Sequence, residues 1–440
     1  MIVLGVLVAL AVLSVLAGLH WYVWRRLVRD TTAPGGLGRR AGTAVFVAGP
    51  LLMVGALVGG RAGLPFRLQQ VLAWPGYLWL ALALYVLLAL LVGEAVRPLL
   101  RRFLERRAAA RAEAVTEAEP AVEDAPVREA QPVAARGGEN APASAPAPAS
   151  EPAPEPAPAA PSTLADPSRR LFVSRVVAGA ALAAGVGTVG YGTYGVLRGP
   201  SVKNVTVPLA KLGRRAHGYR IAVVSDIHIG PVLGRAHTQR IVDTINAQQP
   251  DLVAVVGDLV DGTVADLGPA AEPLAQLRSR HGSYFVTGNH EYFSGAEEWV
   301  DHVRELGLRP LENARVELGA FDLAGVNDIA GENEGQGPDY DKALGDRDTT
   351  RASVLLAHQP VAIHDAVRHG VDLQLSGHTH GGQMWPGNLI ADLANPTLAG
   401  LERYGDTQLY VTRGAGTWGP PVRVGAPSDI TVVTLASRQS

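Results

Sequence analysis

Five short clusters in the second half of the chain place carboxylates, an amide and imidazoles at close spacing. They are Asp226-Ile227-His228, Gly257-Asp258-Leu259-Val260-Asp261, Gly288-Asn289-His290-Glu291, Ala357-His358-Gln359 and Gly377-His378-Thr379-His380. Taken singly each is a weak signal, because an Asp-x-His pair arises often by chance. As a set they offer two Asp, one Asn and four His able to coordinate, with a further Asp and a further His beside them. Oxygen and imidazole nitrogen suit hard or borderline divalent cations such as Mn, Fe, Zn or Mg. The inventory exceeds what one ion takes and fits two divalent metal ions. Two such cations about 3.5–4 Å apart are the recurrent device for in-line phosphoryl transfer to water.

These residues need a scaffold that gathers five separated loops. From Tyr219 onward, short apolar runs alternate with helix-like stretches, and the runs end in the clusters. Ile221–Val224 leads to Asp226 and His228, Leu252–Val256 to Asp258, Tyr284–Val286 to Asn289, Val354–Leu356 to His358 and Leu373–Leu375 to His378. Arg235–Gln248, Glu297–Leu306 and Val361–Arg368 have helical spacing. Apolar runs without alternation predict strands buried on both faces, and an α/β sheet presents ligands at the carboxyl ends of such strands.

In this order the motifs resemble those of the calcineurin-like metallophosphoesterases. The likeness covers roughly residues 215–437, and none of the expected metal positions is substituted. The stretches Ala357-His358-Gln359-Pro360, Gly381-Gly382-Gln383 and Arg413-Gly414-Ala415-Gly416-Thr417-Trp418-Gly419 are similar to a bacterial membrane-associated branch of phosphodiesterases and UDP-2,3-diacylglucosamine pyrophosphatase-like enzymes. The resemblance implies an α/β fold of two mixed β-sheets in a sandwich flanked by helices. It implies that Asp226, His228 and His380 hold one metal and that Asn289, His358 and His378 hold the other. Asp258 would bridge them with a carboxylate oxygen toward each, and a metal-bridging hydroxide would attack phosphorus. His290 is the natural general acid for the leaving oxygen, because imidazoles titrate near neutral pH. Asp261 is expected to orient His290 or a ligand, and Glu291 to be structural. His217, His237, His281, His302, His364 and His369 read as solvated or packed. The acidic stretch Asp328–Asp348, with seven carboxylates, reads as a solvated insertion.

Charge divides the chain in two. Residues 1–200 carry 19 basic and 13 acidic residues, and residues 201–440 carry 20 and 28, so the net charge of −2 hides a basic and an acidic half. The absence of cysteine excludes a disulfide scaffold, a thiolate zinc site and a cysteine nucleophile. Residues 1–111 read as a membrane region of three helices, Ile2–Trp24, Ala44–Gly60 and Val71–Val92. Arginines collect in 25–41 and 97–111 and are sparse in 61–70, which places the N-terminus outside and residue 100 inside. Residues 112–167 lose apolar periodicity, and 8 of the 22 residues from Asn140 to Pro161 are proline, as in an extended, disordered linker. In 168–200 the pair Arg169-Arg170 precedes the apolar run Val176–Leu197. This reads either as a twin-arginine-like export signal or as the flank of a fourth transmembrane helix. No small-x-small cleavage site follows Leu197, which favours a retained anchor.

The sequence therefore predicts a multi-pass membrane protein whose domain 201–440 lies outside the cytoplasm. That domain would hydrolyse a phosphate ester, phosphodiester or pyrophosphate, on an envelope or lipid-linked substrate. The expected partners are the bilayer, a phosphorylated small molecule or lipid-linked substrate, and the twin-arginine export machinery. An acidic domain without a Lys/Arg stripe speaks against nucleic acid. The alternative is a non-catalytic metal-binding scaffold or interaction module of the same fold. A retired site has no need of His290 beside a full ligand set.

Overall fold

The computed structural model describes residues 2–118 and 165–438. The predicted linker thus lies outside the described residues except at its edges.

Four helices come first: α1 (Ile2–Trp24), α2 (Leu37–Val58), α3 (Phe66–Ala118) and α4 (Ala165–Leu197). Leu37–Val58, Phe66–Arg111 and Leu171–Leu197 are long and apolar enough to cross a membrane. Helix α1 forms over the residues predicted, but much of its first half has side chains outside the described set. Two boundaries differ from the expectation. Helix α2 starts seven residues before Ala44, taking Arg39 and Arg40 into its first turn. Helix α3 runs unbroken for 53 residues through the arginine segment 97–111, which is helix rather than loop. Leu, Arg, Ala and Glu from Leu99 to Ala118 are strong helix formers, so the helix outlasts its hydropathy.

Helices α3 and α4 pack antiparallel, with Gly185 against Val86 and Gly93 against Val177. The arginines gather at one end of this bundle. Arg26 pairs with Asp30 at 3.1 Å and Glu94 at 3.0 Å, Arg97 with Glu94 at 3.3 Å, and Arg175 donates to the Thr31 carbonyl at 3.1 Å.

Only three residues separate α4 from the first strand of the C-terminal domain. The strands are β1 (Ser201–Leu209), β2 (Tyr219–Val224), β3 (Leu252–Val256), β4 (Ser283–Val286), β5 (Arg309–Pro310), β6 (Ala314–Glu317), β7 (Asp322–Gly325), β8 (Ser353–Leu356), β9 (Leu373–Ser376), β10 (Gly400–Tyr404), β11 (Thr407–Val411) and β12 (Asp429–Ser437). They form two six-stranded sheets, ordered β1-β12-β2-β3-β4-β5 and β10-β11-β9-β8-β7-β6. Both are mixed: β2 to β5 run parallel with β12 antiparallel to β2, and β7, β8, β9 and β11 run parallel with β6 and β10 antiparallel at the edges.

Alternate residues of each buried strand serve different layers. Ile221, Val223, Leu252, Ala254 and Val256 meet Leu323, Val354, Leu356 and Leu375 between the sheets. Ala222, Val224, Val253 and Val255 face outward under α5 (Arg235–Ala247), α6 (Val264–Ala271) and, beyond the short α7 (Asn289–Ser294), α8 (Ala296–Glu305), with Ile241, Leu267 and Trp299 completing that layer. The other sheet is covered by α9 (Tyr340–Leu344) and α10 (Ile363–Arg368) through Leu344, Ile363 and Ala366. A last short helix, α11 (Gly387–Ala394), precedes β10. This is the predicted sandwich.

Candidate metal centre

Every cluster follows the carboxyl end of a parallel strand. Asp226 and His228 follow β2, Asp258 and Asp261 follow β3, Asn289 and His290 follow β4, His358 follows β8, and His378 and His380 follow β9. The chain turns sharply there. Asp226, His228, Asp258, His378 and His380 hold φ between 48° and 73°, a left-handed conformation that costs a non-glycine residue about 1–2 kcal/mol. Such strain persists only where the surroundings over-determine it. Gly416 shows how tight they are: a β-carbon there would collide with the Ile227 carbonyl.

All nine predicted residues converge. Three groups offer ligand atoms within 4.8 Å of one another: Asp226, His228 and His380; His228, Asp258 and His290; and Asp258, His358 and His378. Asn289 joins the last, its Oδ1 3.1 Å from Nδ1 of His378. Asp258 is the hinge between groups. Its Oδ2 lies 3.1 Å from Nε2 of His358 and 3.7 Å from Nε2 of His228. Its Oδ1 accepts the backbone N–H of His290 at 2.9 Å. Oδ2 therefore faces an imidazole of each group.

Hydrogen bonding decides whether these groups suit cations. Nδ1 of His358 lies 2.9 Å from the Val256 carbonyl and must donate to it. This leaves a lone pair on Nε2 facing the Asp258 carboxylate, with no hydrogen-bond partner. Nδ1 of His228 likewise donates to Asp261 Oδ1 at 2.9 Å, so its Nε2 lone pair faces Nε2 of His380 at 3.0 Å. The His358 lone pair and the Asp258 carboxylate, buried and turned on one another at 3.1 Å, need a positive charge between them. The residues fit a pair of divalent ions.

The proton equilibria carry the same demand. Burial disfavours a charged His228, but Asp261, Asp258 and Asp226 outweigh it and raise the imidazole to about 9. His358 is likewise raised by Asp258 against its burial, and Asp258 is held well below the usual carboxylate range by His358 and His228. Burial lowers His378 to about 4, with His358 adding to the effect.

Asp261 Oδ1 accepts from Nδ1 of both His228 and His290, at 2.9 and 2.7 Å. These contacts overcome its burial and hold it at about 2. A fixed carboxylate thus orients one predicted ligand and the predicted acid at once. Residues 219–382 match the family profile of the calcineurin-like phosphoesterases. An uncharacterized metallophosphoesterase of Helicobacter pylori is 38% identical over 272 residues, which are 61% of this chain and 73% of that protein. An uncharacterized metallophosphoesterase of Bacillus subtilis, YkuE, is 31% identical over 287 residues, 61% of this chain and 98% of that protein. The chain belongs to the metallophosphoesterase family. A transmembrane protein with metallophosphoesterase domain from Danio rerio is 40% identical over 259 residues, which span 56% of this chain but only 59% of that relative.

The metallophosphoesterase centre also uses residues that spacing did not reveal. Glu291, read as structural, accepts three backbone N–H groups: Asp258 at 3.0 Å, Leu259 at 2.8 Å and Gly288 at 2.6 Å. It clamps the β3 and β4 ends together. Arg423 is buried with its guanidinium on the carbonyls of Gly416, Ala426 and His380, and 3.1 Å from Nδ1 of His380. Nothing in its sequence neighbourhood marks it, because its partners are mostly backbone. The acidic stretch is not simply solvated. Asp328 is buried, accepts from Gln359 Nε2 at 2.9 Å, and is raised by burial. Asn313 Oδ1 accepts the N–H groups of Asn327 and Asp339, pinning the insertion at its start and near its middle. Phe293 and Trp418 flank His290, their ring centres 5.5 and 5.9 Å from the imidazole.

Proposed function

We propose that this chain is a membrane-anchored hydrolase of a phosphate ester, phosphodiester or pyrophosphate, dependent on two divalent metals. Asp226, His228 and His380 would hold one ion, Asn289, His358 and His378 the other, with Asp258 shared. When bound, the cations neutralise phosphate charge and make water a stronger nucleophile near neutral pH. The protein's own part is proton handling and orientation. Asp261 fixes Nδ1 of His290, leaving Nε2 to give its proton to the leaving oxygen as the P–O bond breaks. Phe293 and Trp418 shield that proton from bulk water. The observation that carries this reading is Asp258 Oδ2 standing between two imidazole lone-pair sets.

The catalytic domain joins the helix bundle at the end opposite the arginine cluster, which by the positive-inside rule is the extracytoplasmic end. Arg169-Arg170 would then address the twin-arginine machinery. The likeness to envelope phosphodiesterases and pyrophosphatase-like enzymes favours a lipid-linked substrate. Purified protein loaded with manganese should hydrolyse bis-p-nitrophenyl phosphate. Asp258→Ala should lose metal and turnover together. His290→Ala should keep its metal, by elemental analysis, and lose about 10²–10⁴-fold in kcat. Metal-replete protein inert on both this ester and nucleotide pyrophosphates would instead support the scaffold reading.

A further inference from the structure

Among residues 201–438, the large apolar side chains more than half exposed are Phe293, Trp385, Leu389, Ile390, Leu393 and Trp418, at 51–90%. They are not scattered. Phe293 and Trp418 stand on either side of His290. Trp385 and α11 come directly after the turn that carries His380. Gln383 ties the two parts together, accepting from the Trp418 N–H and donating to the Trp418 carbonyl, both at 3.0 Å. Leu389, Ile390 and Leu393 occupy one face of α11, at i, i+1 and i+4, with no residue of the helix buried by protein. An apolar face of this kind beside a catalytic centre calls for an occupant.

The membrane helices indicate which one. The Tyr85 hydroxyl donates to the Trp385 carbonyl at 2.9 Å. Met384, Val422 and Val424 pack on Ala81, Tyr85 and Val189 of α3 and α4. The approach at α4 is close enough that a β-carbon on Gly192 would stand 2.7 Å from Val422. Tyr85 lies eight residues, about 12 Å, beyond Tyr77 along α3, toward the arginine end. Even with its side chain leaning back by a turn, the anchor point sits deeper than Trp74, Tyr77 and Trp79, the aromatic residues near the start of the apolar run Val71–Val92 that suit a membrane interface. The loop bearing Trp385 is thus fixed at the depth of the outer hydrocarbon, continuous with the spans.

We propose that residues 384–394, with Phe293 and Trp418, form a bilayer-inserted rim of the metal centre, and that the substrate is a membrane amphiphile whose phosphate reaches the centre from the adjoining leaflet. This rests on the hydrolase reading above and narrows it to lipid phosphoesters. Water supplies the oxygen that bonds to phosphorus, the P–O bond to the leaving group breaks, and the lipid keeps its place in the leaflet.

Two measurements on the full chain test it. The chain has no cysteine, so Ile390→Cys and, as a surface reference, Val361→Cys can each carry a single nitroxide in phosphatidylcholine vesicles. The rim label should be open to oxygen and shielded from chromium oxalate, whereas the reference is open to both. A rim label open to chromium oxalate, or shielded from both reagents as in a contact with a second protein copy, overturns the proposal. The second compares hexadecyl and methyl p-nitrophenyl phosphate, which share a reacting centre and release p-nitrophenol plus the alkyl phosphate. Manganese-loaded protein should show kcat/KM at least tenfold higher for the hexadecyl ester. Leu389→Ser/Ile390→Ser/Leu393→Ser should remove that preference while leaving the methyl ester within twofold. Equal turnover of both esters, unchanged in the triple variant, overturns the rim and leaves the hydrolase standing. Turnover of neither by the metal-loaded wild type overturns the hydrolase reading itself, whatever the label reports.

Discussion

Without a metal, the carboxylates around His228 and His358 favour a proton at the nitrogen a cation would take. Both imidazoles are raised by neighbouring carboxylates, His228 to about 9, and a metal binds only the deprotonated nitrogen. Loading with manganese at pH 7 should therefore release about two protons per molecule, fewer as the pH approaches 9, and affinity should climb over that interval. Calorimetry in buffers of different ionisation enthalpy measures this directly; release below one proton would show both rings already neutral. The sign for stability follows from the same shifts. A raised pKa in the folded state stabilises below the unfolded value and ceases to do so as pH rises through the folded value. Metal-free protein should lose melting temperature toward pH 9, and metal-loaded protein should hold it. These residues were legible in the sequence because metal coordination restricts side-chain type: only Asp, Asn and His at strand ends would serve. Arg423 and Asp328 were not, since both act through backbone or amide partners brought near by folding, and a run of seven carboxylates reads as solvated until Asn313 and Gln359 are seen to hold it.

At the scale of elements, the centre depends on five strand-end turns keeping their relative positions, and Glu291 joins two of them. Its carboxylate is the partner of three buried N–H groups. Glu291→Ala should destabilise the domain by about 3–5 kcal/mol, since it orphans three buried N–H donors that each cost about 1–3 kcal/mol. Glu291→Gln, which keeps one carbonyl oxygen, should fall between. Denaturant melts of the manganese-loaded protein would decide; a loss under 1 kcal/mol for Glu291→Ala would mean that the turns are held by other contacts. The strands themselves were readable because burial on both faces leaves uninterrupted apolar runs. Their assignment to two sheets was not: it came only through the family resemblance, and the pairing of β11 beside β9, and of β12 between β1 and β2, joins residues far apart in sequence and was not read at all. Helix ends were misjudged for a different reason. Hydropathy marks where a helix leaves apolar surroundings, whereas α3 continues to Ala118 on propensity alone.

For the whole molecule, the orientation of the helix bundle sets which side of the membrane holds the centre. Arginine distribution and bundle geometry agree, since Arg26, Arg97 and Arg175 meet at the end far from β1. Asp406 is fully exposed in the catalytic domain and Arg106 is exposed at the far end of α3. In intact cells a membrane-impermeant maleimide should label Asp406→Cys and leave Arg106→Cys until the cells are permeabilised. The reverse pattern would place the centre in the cytoplasm.

Arg198, Gly199 and Pro200 are all that lies between the last membrane helix and the first strand. So short a tether leaves the domain no room to sample solution, and with its loops packed on α3 and α4 it travels as part of the membrane. For a substrate sharing that bilayer, encounter becomes a search in a plane. Turnover would then follow the mole fraction of substrate among lipids: adding inert lipid would slow the reaction, and adding buffer would not.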